Sequence, residues 1–565
     1  MNKFAKIVFS LLLLTSVAIL NAHCGHCGCC NNNSSCCNNY CCDDKSCGCD
    51  PCECRVQARS TFVVRPQFQV GSPEYLAAFR DRMHANENGH GGALRFSLFG
   101  GKSTNADRLA TYFTPFCKSR LLVKTNEDEP ARDIDPQHFN VTLAEGDFQS
   151  TINFCPKIST VGLGITYRQD LSRLRDDCDP CKCHWWFEIS TPLTRVETTM
   201  GLSECITTTA ELKAADIADI NQTFYASMKN AFNQSAWYYG KINGCCKCAK
   251  TRLADISVLL GFESVKCEGC LLEGYAGFLI PTGNARCGTY VFEPIVGHGK
   301  HWGIIKGWHL KMTVWENEDE CRRLEIANES NGLYLFKREE IRSFDLKCKP
   351  WSRYMEVYKN KAQAEEAATL EGEGKLEAAQ YLSSPGINTF TQCLRVWPRL
   401  TATTNSAFIF SGKRFKGEIG YNLHCKQSEC VELCCWKEGV ALKAEEGGGN
   451  TQPLRTINEA NSILEANVDA MTELTGCDAT CFNQGINVTV PVDKYDQAVI
   501  KASDIDLESA THPDYFAHTV YFSAGGRWDE KEYPWFFDVG GSYEFGNENK
   551  VLSRWTAWVQ GGLTF

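Results

Sequence analysis

The chain has 565 residues, a formal net charge of −10 and a pI near 5.7. That length suits two or three ordinary domains or one large closed sheet. The acidic balance argues against a general nucleic-acid binder, because phosphate binding needs a basic face. Charged residues make up 22% and the mean hydropathy is −0.29. Such values suit a soluble protein, but they also suit a membrane β-barrel, whose alternating strands leave little trace in average hydropathy.

Residues 1–22 are predicted to be a secretory signal peptide. Lys3 and Lys6 precede an apolar run at residues 7–20, and this run is shorter than the ~20 residues that a membrane-spanning helix needs. We place the cleavage after Ala22. A lipoprotein anchor at Cys24 is the alternative, but His23 stands where a lipobox has Gly or Ala. The sequence therefore predicts an exported protein.

Residues 23–59 form a cysteine-rich segment, with 12 of the 33 cysteines of the chain between Cys24 and Cys54. Almost no aliphatic residue is present, so the segment cannot build a core and is expected to be disordered unless it is cross-linked. The favoured interpretation is a disulfide-cross-linked head, bonded within itself or to other envelope proteins. The weaker alternative is a metal site, because thiolate and imidazole ligands are closely spaced at His23, Cys24, His26 and Cys27.

The remaining cysteines gather in small groups within polar, turn-rich stretches. This placement predicts disulfides that staple loops together in the oxidising compartment that export implies. The odd total leaves at least one thiol unpaired or bonded to another molecule. The disulfide candidates are Cys178, Cys181, Cys183, Cys245, Cys246, Cys248, Cys267, Cys270, Cys430, Cys434, Cys435, Cys477 and Cys481.

From residue 92 onwards, segments that alternate apolar and polar residues with period two predict β-strands. In residues 159–169, Val161 and Leu163 fall on one face and Arg168 falls on the other. In residues 414–424, Phe415 and Ile419 fall opposite the charged residues. Weaker examples begin at Gly92, Phe148, His184, Leu253, Leu272, His301 and Ile387. We expect roughly 12–16 strands in all.

Three stretches break this alternation and predict helices or helix-bearing loops. Residues 206–237, 355–382 and 452–475 are rich in Ala, Glu, Leu and Lys, with apolar residues at three- and four-residue spacing. A glycine-rich hinge at residues 447–450 precedes the third. Between strands they would be long inserted loops, which we place at about residues 206–250, 355–385 and 430–510.

The last three strand candidates lie at residues 518–528, 533–547 and 554–565 and are joined by short polar turns. Each has one apolar face, as expected for an antiparallel meander. In the final candidate the apolar or small residues are Trp555, Ala557, Val559, Gly561, Leu563 and Phe565. The strand pattern continues to the last residue, although chain ends normally fray. We therefore expect another strand to hold it in place.

Two features favour a membrane barrel over a soluble sandwich. The polar faces carry repeated charges, which a protein core excludes but a wet lumen tolerates. Trp535 and Phe545 are ten steps apart, which at about 3.3 Å per residue and a tilt of ~40° spans ~25 Å, the height of a lipid-facing band between aromatic girdles. The predicted fold is all-β, a transmembrane antiparallel β-barrel over residues 60–565 with long, cysteine-containing loops.

The end of the chain resembles the C-terminal signature of bacterial outer-membrane β-barrel proteins. The matching residues are the terminal Phe565 and the alternating Leu563, Gly561, Val559 and Ala557. The resemblance implies that the barrel assembly machinery reads this strand, which then pairs with the first strand to close the barrel. The cysteine-rich segment departs from ordinary porins and is more like cross-linked envelope proteins of some intracellular bacteria. The implied location is the bacterial outer membrane, with its lipids as partners.

A porin-like pore for small solutes, stabilised by disulfides, is the predicted function. The alternative function is a structural or adhesive surface protein without channel activity. The charged residues expected to line the pore could instead pair with one another inside a plugged barrel. These pore-lining candidates are Arg168, Arg414, Lys416, Glu418, Arg527, Asp538 and Glu544.

No catalytic role or cofactor is expected from the sequence. His298 and His301 are closely spaced, but no HExxH pattern accompanies them and no GxSxG occurs. A pair of loop or girdle histidines is the favoured interpretation. The sequence leaves the transported solute, the disulfide connectivity and the oligomeric state open.

Overall fold

The computed structural model describes residues 58–84, 89–125, 132–134, 136–139, 141, 147–173, 184–209, 225–244, 246–267, 269–317, 322–347, 349–373, 382–443, 454–455, 489–490 and 495–565. All of them belong to one compact unit, residues 40–565. The predicted signal peptide, the cysteine-rich segment up to residue 57, residues 210–224 of the stretch 206–237 and most of the stretch 452–475 lie outside the described residues. So do the candidates Cys178, Cys181, Cys183, Cys245, Cys477 and Cys481 and the alternative metal ligands His23, Cys24, His26 and Cys27.

Twelve antiparallel strands close into a barrel, at the lower bound of the predicted number. Each pairs with its neighbours in chain order, and the last pairs with the first. The strands are β1 Gly92–Ser103, β2 Lys157–Asp170, β3 His184–Thr199, β4 Ile256–Cys267, β5 Cys270–Ile280, β6 Gly303–Glu316, β7 Arg323–Leu335, β8 Arg399–Ser411, β9 Phe415–Lys426, β10 Tyr515–Trp528, β11 Trp535–Phe545 and β12 Arg554–Thr564. A further strand, Cys248–Leu253, pairs with the same edge of β3 as β4 does. It extends β4 along that edge, and residues 254–255 form the interruption between the two.

The final strand is bonded along both edges. It pairs with β11 on one side and with β1 on the other, where Ala93 lies opposite Thr564 and Ser103 opposite Arg554. Beyond the strand, the amide of Gly92 donates to the Phe565 carbonyl at 3.0 Å, and the Phe565 amide donates back at 2.9 Å. The prediction that the last strand pairs with the first is confirmed, and closure removes the sheet edges that would otherwise be exposed.

The apolar faces of the strands point outwards. Along β12, Trp555, Val559 and Leu563 are exposed, whereas Thr556, Trp558 and Gln560 are buried. The most exposed examples are Ile419 at 64% and Phe522 at 62%, values that suit contact with lipid. The outward-facing large side chains of the barrel include Phe96, Leu98, Val161, Leu163, Ile165, Trp185, Leu193, Leu260, Phe262, Phe278, Ile304, Trp315, Phe408, Phe410, Phe415, Tyr421, Phe516, Val520, Trp535, Phe537, Val539 and Tyr543. The predicted lipid-facing surface of a transmembrane barrel is thereby confirmed.

The two ends of the barrel differ in the length of their connections. At one end, which we call the turn end, five connections join consecutive strands in 2 to 13 residues, from residues 268–269 to residues 171–183. At the other, the loop end, the connections include residues 104–156, 200–255, 336–398 and 427–514. Among the described residues, no helix is both long and apolar enough to cross a membrane.

The long connections pack together into a loop-end domain. It contains small antiparallel sheets of Arg120–Lys124, Gln149–Asn153 and Ser203–Thr208; Arg338–Ser343, Thr391–Trp397 and Cys430–Leu433; Glu356–Tyr358, Ser384–Pro385 and Ala441–Leu442; Asp345–Leu346 and Ile505–Asp506; and Leu454–Arg455 and Thr489–Val490. Its α-helices are Ala106–Phe113, Met228–Ala231, Lys361–Gly372, Gly386–Thr389 and Tyr495–Ala498, and its 3-10 helices are Pro115–Cys117, Pro136–Phe139, Ser352–Tyr354, Ala502–Asp504 and Glu508–Ala510. Stacked rings such as Trp237 on Tyr354, 4.8 Å apart, lie in its buried core.

Four strand assignments need correction. The candidates beginning at Phe148 and Ile387 are strands of the loop-end sheets, not of the barrel. Alternation alone cannot distinguish the two, because a small sheet on a protein core also has one apolar face. Strands β7 and β8 were not predicted, because polar residues interrupt their outward faces. Across them, Asn328 donates to Ser406 at 2.7 Å and Ser330 bonds to Thr404 at 3.1 Å.

Candidate functional site: the plugged lumen

The segment before β1 runs through the inside of the barrel. At the loop end, Phe62 packs edge-to-face on Tyr112, with ring centroids 5.0 Å apart. Farther down, the Gln67 amide donates to the hydroxyl of Thr556 on β12 at 2.6 Å. Near the turn end, the backbone amide of Ala78 donates to the Glu418 carboxylate at 2.8 Å. We call residues 61–84 the plug. Its last eight residues form the 3-10 helix Ala77–His84.

Aromatic side chains of the plug fill the narrow lumen. Phe68 stacks on Phe99 of β1 with centroids 5.8 Å apart, and Phe79 stacks on Phe536 of β11 at 4.7 Å. The plug therefore closes the lumen by packing, and it gains the free energy of burying apolar rings.

Buried charges join the plug to the wall near the turn end. Arg80 of the plug donates to Glu273 on β5 at 2.9 Å and to Glu329 on β7 at 2.8 Å. Glu273 also accepts from Arg168 on β2 at 2.5 Å, and Glu188 on β3 lies 3.9 Å from Arg168. We call these five residues the arginine–glutamate cluster. All are buried, so removing one partner would leave an uncompensated charge in the interior.

Five of the seven predicted pore-lining residues point into the lumen. Arg168 belongs to the arginine–glutamate cluster, and Lys416 lies 5.8 Å from the centroid of the Phe79 ring. Glu418 accepts from Ala78 and from the Tyr521 hydroxyl. Asp538 accepts from Gln560 at 3.2 Å, and Glu544 accepts from Arg554 at 2.8 Å. Their inward direction follows from the strand alternation, whereas their role in a pore stays a prediction.

The other two predicted residues lie at the turn end. Arg414 precedes β9 in a short turn, where its exposed side chain is 3.1 Å from Glu530. Arg527 is the penultimate residue of β10, and its side chain is 3.6 Å from Asp529. Strand β9 begins at Phe415, so Arg414 is not on the polar face of that strand as predicted.

A second buried charge cluster lies where the loop-end domain meets the barrel. Arg342 contacts Glu340 at 2.8 Å and Glu429 at 3.2 Å, and His301 Nε2 lies 2.9 Å from Glu340. Burial alone would raise the pKa of Glu340, but the Arg342 charge, the His301 hydrogen bond and the Arg286 charge together lower this pKa to about 2. The pKa of Glu429 is also lowered, because Arg342 and Lys426 outweigh the effect of burial.

The two histidines singled out in the sequence have separate partners. His298 Nδ1 lies 2.7 Å from Asp255 at the interruption of β4, whereas His301 contacts Glu340. Through these contacts, each histidine holds one part of the loop that precedes β6. Within the described part of the chain, no group of three or more His, Cys, Asp or Glu side chains is arranged to hold a metal ion. The expectation that the protein is not an enzyme stays a prediction.

Among the described disulfide candidates, Cys246, Cys248, Cys434 and Cys435 carry thiols. Cys267 lies opposite Cys270 across the tight turn between β4 and β5. Cys434 follows the strand Cys430–Leu433, whose neighbour carries Cys393, a residue that was not among the candidates. The disulfide staples stay a prediction.

The plug was not predicted from the sequence. Residues 61–84 show no sustained alternation, so they give no strand signal, and Arg80 was not singled out. Glu273 lies within a predicted strand, but one carboxylate on a polar face does not show that an arginine of a distant segment meets it. Only the closed barrel places residues 80 and 273 next to each other.

No protein-family model matches the chain, and no curated protein matches its sequence. Comparison of structures finds an outer-membrane channel from Pseudomonas putida, with 8% identity and a TM-score of 0.32 over 84% of this chain and 96% of that one. It also finds a FadL homologue from Pseudomonas aeruginosa, with 9% identity and a TM-score of 0.25 over 86% and 92%. The translocator domain of the autotransporter NalP from Neisseria meningitidis has 7% identity and a TM-score of 0.26 over 87% and 93%.

At these TM-scores the fold assignment rests on the strand pairing and outward apolar surface of the chain itself. Both agree with the resemblance to bacterial outer-membrane barrels that the terminal strand indicated. The chain is a transmembrane antiparallel β-barrel of twelve strands, and its own N-terminal segment fills its lumen.

Proposed function

We propose that the protein is an exported outer-membrane channel for small solutes, closed at rest by its plug. The observation that carries this proposal is the nature of the closure. The wall supplies polar and charged side chains to the lumen, whereas the blockage comes from one chain segment held by noncovalent contacts. Without that segment, water would be the favoured solvent for the charged groups of the wall.

The proposed location in the outer membrane rests on three features. The outward surface is apolar around the barrel, the first 22 residues have the pattern of a secretory signal, and the last strand has the pattern that barrel assembly machinery reads. An oxidising compartment would also let the cysteine-rich segment cross-link to itself or to other envelope proteins.

A structural or adhesive surface protein is the second candidate function. The loop-end domain favours it, because this domain has its own aromatic core and several small sheets, far more structure than a pore mouth needs. In that case the plug would be a permanent part of the core of a silent barrel.

Single-channel conductance in planar bilayers distinguishes the two functions. A variant lacking residues 61–84 should conduct continuously, whereas the wild-type protein should open only intermittently. A Gln67→Cys and Thr556→Cys pair, oxidised to a disulfide, should hold the plug in place and stay silent until reductant is added. Wild-type protein with the same reductant is the control, and a heat-dependent shift on SDS gels confirms that each variant forms a barrel. Silence of the folded deletion variant would overturn the channel proposal.

A further inference from the structure

We propose that the arginine–glutamate cluster is a binding site for small guanidinium or ammonium cations, and that Arg80 of the plug occupies this site while the channel is closed. The inference deepens the proposed channel function by naming a class of solute and rests on that function for its physiological meaning. The site itself is defined by contacts inside the lumen and can be tested by binding alone.

A single guanidinium holds two carboxylates of the wall. Arg80 Nε lies 2.9 Å from Glu273 on β5, and its Nη1 lies 2.8 Å from Glu329 on β7. Both glutamates are 1% exposed. The cation belongs to the plug, whereas every carboxylate of the cluster belongs to the wall. When the plug moves away, a free cation of the same shape would satisfy the same two carboxylates.

Aromatic rings of the wall face the same position. The guanidinium carbon of Arg80 lies 5.2 Å from the centroid of the Tyr275 ring and 5.9 Å from that of the Trp186 ring. The Tyr275 hydroxyl donates to Glu329 at 2.9 Å, which holds this ring in place. Aromatic faces within about 6 Å of a cation attract it through their quadrupole. The rings and the carboxylates therefore favour positive charge by two separate interactions.

The cluster also has acceptor atoms that Arg80 does not use. Among the described residues, Glu188 Oε1 and Glu329 Oε2 are buried without a hydrogen-bond partner. Glu188 is 2% exposed and lies 3.9 Å from Arg168. A buried carboxylate oxygen without a donor is costly, so a small cation with several N–H groups would be stabilised here.

The charge balance of the wall points to the same class of solute. With three carboxylates and two guanidiniums, the cluster has a net charge of −1, and the departure of Arg80 leaves −2. The other buried charges nearby are balanced in number, with Arg95 and Lys416 against Glu418 and Asp538. Acidic side chains that line a pore favour the passage of cations.

Reversal potentials of the full-length wild-type protein in a potassium chloride gradient test this charge preference. Open-channel currents should favour potassium over chloride by at least about threefold, because the acidic excess lies within the lumen. Glu329→Gln should reduce this ratio, whereas Glu530→Gln, which removes the same charge in an exposed turn, should not. Open-channel currents without preference, or with a preference for chloride, would overturn the proposal, and this measurement requires no variant to fold.

Isothermal titration calorimetry on full-length Arg80→Ala in detergent tests binding without conductance, once a heat-dependent shift on SDS gels shows that the variant is folded. Methylguanidinium should bind where the Arg80 side chain was. Methylurea has nearly the same shape without the charge, and it should bind at least about tenfold more weakly. The wild-type protein is the control and should bind far less methylguanidinium, because its own Arg80 fills the site.

Equal affinities of methylguanidinium and methylurea for folded Arg80→Ala would overturn the proposal. The site and the channel can fail independently. Methylguanidinium binding by a silent barrel would leave the site standing, and conductance without cation preference would leave only the channel.

Discussion

Arg80 is the residue that joins the plug to two strands at once. Its guanidinium bridges Glu273 and Glu329, which are themselves buried. Replacing it by glutamine leaves Glu329 without its cation and Glu273 with Arg168 alone, and breaking a buried pair in this way costs roughly 3–5 kcal/mol. We expect Arg80→Gln to increase the open fraction in single-channel records at least tenfold. Arg414→Gln, at an exposed pair, should leave the open fraction unchanged, and equal records for both variants would contradict this role of Arg80.

Glu340 makes the loop end sensitive to acid. Its pKa in the folded protein is about 2, below the ordinary value of 4.5, because Arg342, His301 and Arg286 favour the carboxylate. A carboxylate with a lowered pKa stabilises the fold above pH 4.5, and this contribution is lost as the pH falls from 4.5 towards 2. The loss is at most about 3 kcal/mol, since one pKa unit corresponds to ~1.4 kcal/mol.

Tryptophan fluorescence during urea unfolding measures this effect, because Trp237 and Trp351 lie in the loop-end core. The unfolding midpoint should fall between pH 4.5 and pH 2.5 in the wild-type protein. It should fall less in Glu340→Gln, which has no carboxylate to protonate at this position. Identical pH profiles for the wild-type protein and Glu340→Gln would contradict the assignment of this acid sensitivity to Glu340.

At the scale of elements, the packing between β11 and β12 depends on a glycine. A Cβ on Gly540 would lie 2.4 Å from the buried Trp558 ring, whereas a Cβ on the neighbouring Gly541, on the outward face, would meet nothing closer than 3.5 Å. Overpacking of a filled interior typically costs about 1–3 kcal/mol. We expect Gly540→Ala to lower the temperature at which the barrel unfolds on SDS gels, and Gly541→Ala to change it little. The opposite order would show that the inward and outward faces are misassigned.

Two cysteines of the loop-end domain occupy facing positions on neighbouring strands. Leu394 pairs with Leu433, so the next step of the same register brings Cys393 opposite Cys434, and both thiols are exposed. Facing side chains on antiparallel strands have Cβ atoms about 4.5–5.5 Å apart, close to the separation in disulfides. We expect oxidised glutathione to convert this pair to a disulfide while two glutathione thiols are released.

Peptide mass spectrometry without reduction should find Cys393 joined to Cys434. Cys435 is also exposed, lies one residue beyond Cys434 and serves as the comparison. Cys434→Ser should abolish the linked peptide, whereas Cys435→Ser should not. A Cys393–Cys435 link in the wild-type protein would contradict the register.

At the scale of the whole molecule, the direction of the plug fixes the side of the membrane at which the described chain begins. Ala58 is buried in the loop-end domain, where its carbonyl accepts from Arg353. The chain then runs through the lumen to Gly92 at the turn end. We expect a peptide tag inserted directly before Ala58 to react with antibody on the same side of the membrane as a tag beside the exposed Tyr238. A tag beside Glu530 in the turn between β10 and β11 should react on the opposite side. If the Ala58 tag reacted on the same side as the Glu530 tag, the direction of the plug through the barrel would be contradicted.

Much of the barrel was predictable because its wall follows a local rule. Each wall residue faces either lipid or lumen, so the period-two pattern of β2, β9, β10, β11 and β12 shows in the sequence, as does the inward direction of Arg168 or Asp538. Strands β7 and β8 escaped prediction because Asn328 and Ser406 satisfy each other on the outward face, a pairing that depends on register. The small loop-end sheets were mistaken for barrel strands for the converse reason, since they alternate as barrel strands do.

By itself, the sequence determined the fold class and the lipid-facing surface, because these depend on alternation along single strands. The pairing of the last strand with the first was implied by the resemblance of the end of the chain to outer-membrane barrel proteins. The tertiary structure alone decided the closed state of the lumen and the bridges from Arg80 to Glu273 and Glu329. Those bridges join residues roughly 190 to 250 positions apart, and no short-range pattern encodes them. They form only when the barrel closes around its own N-terminal segment and excludes water from the charges that it encloses.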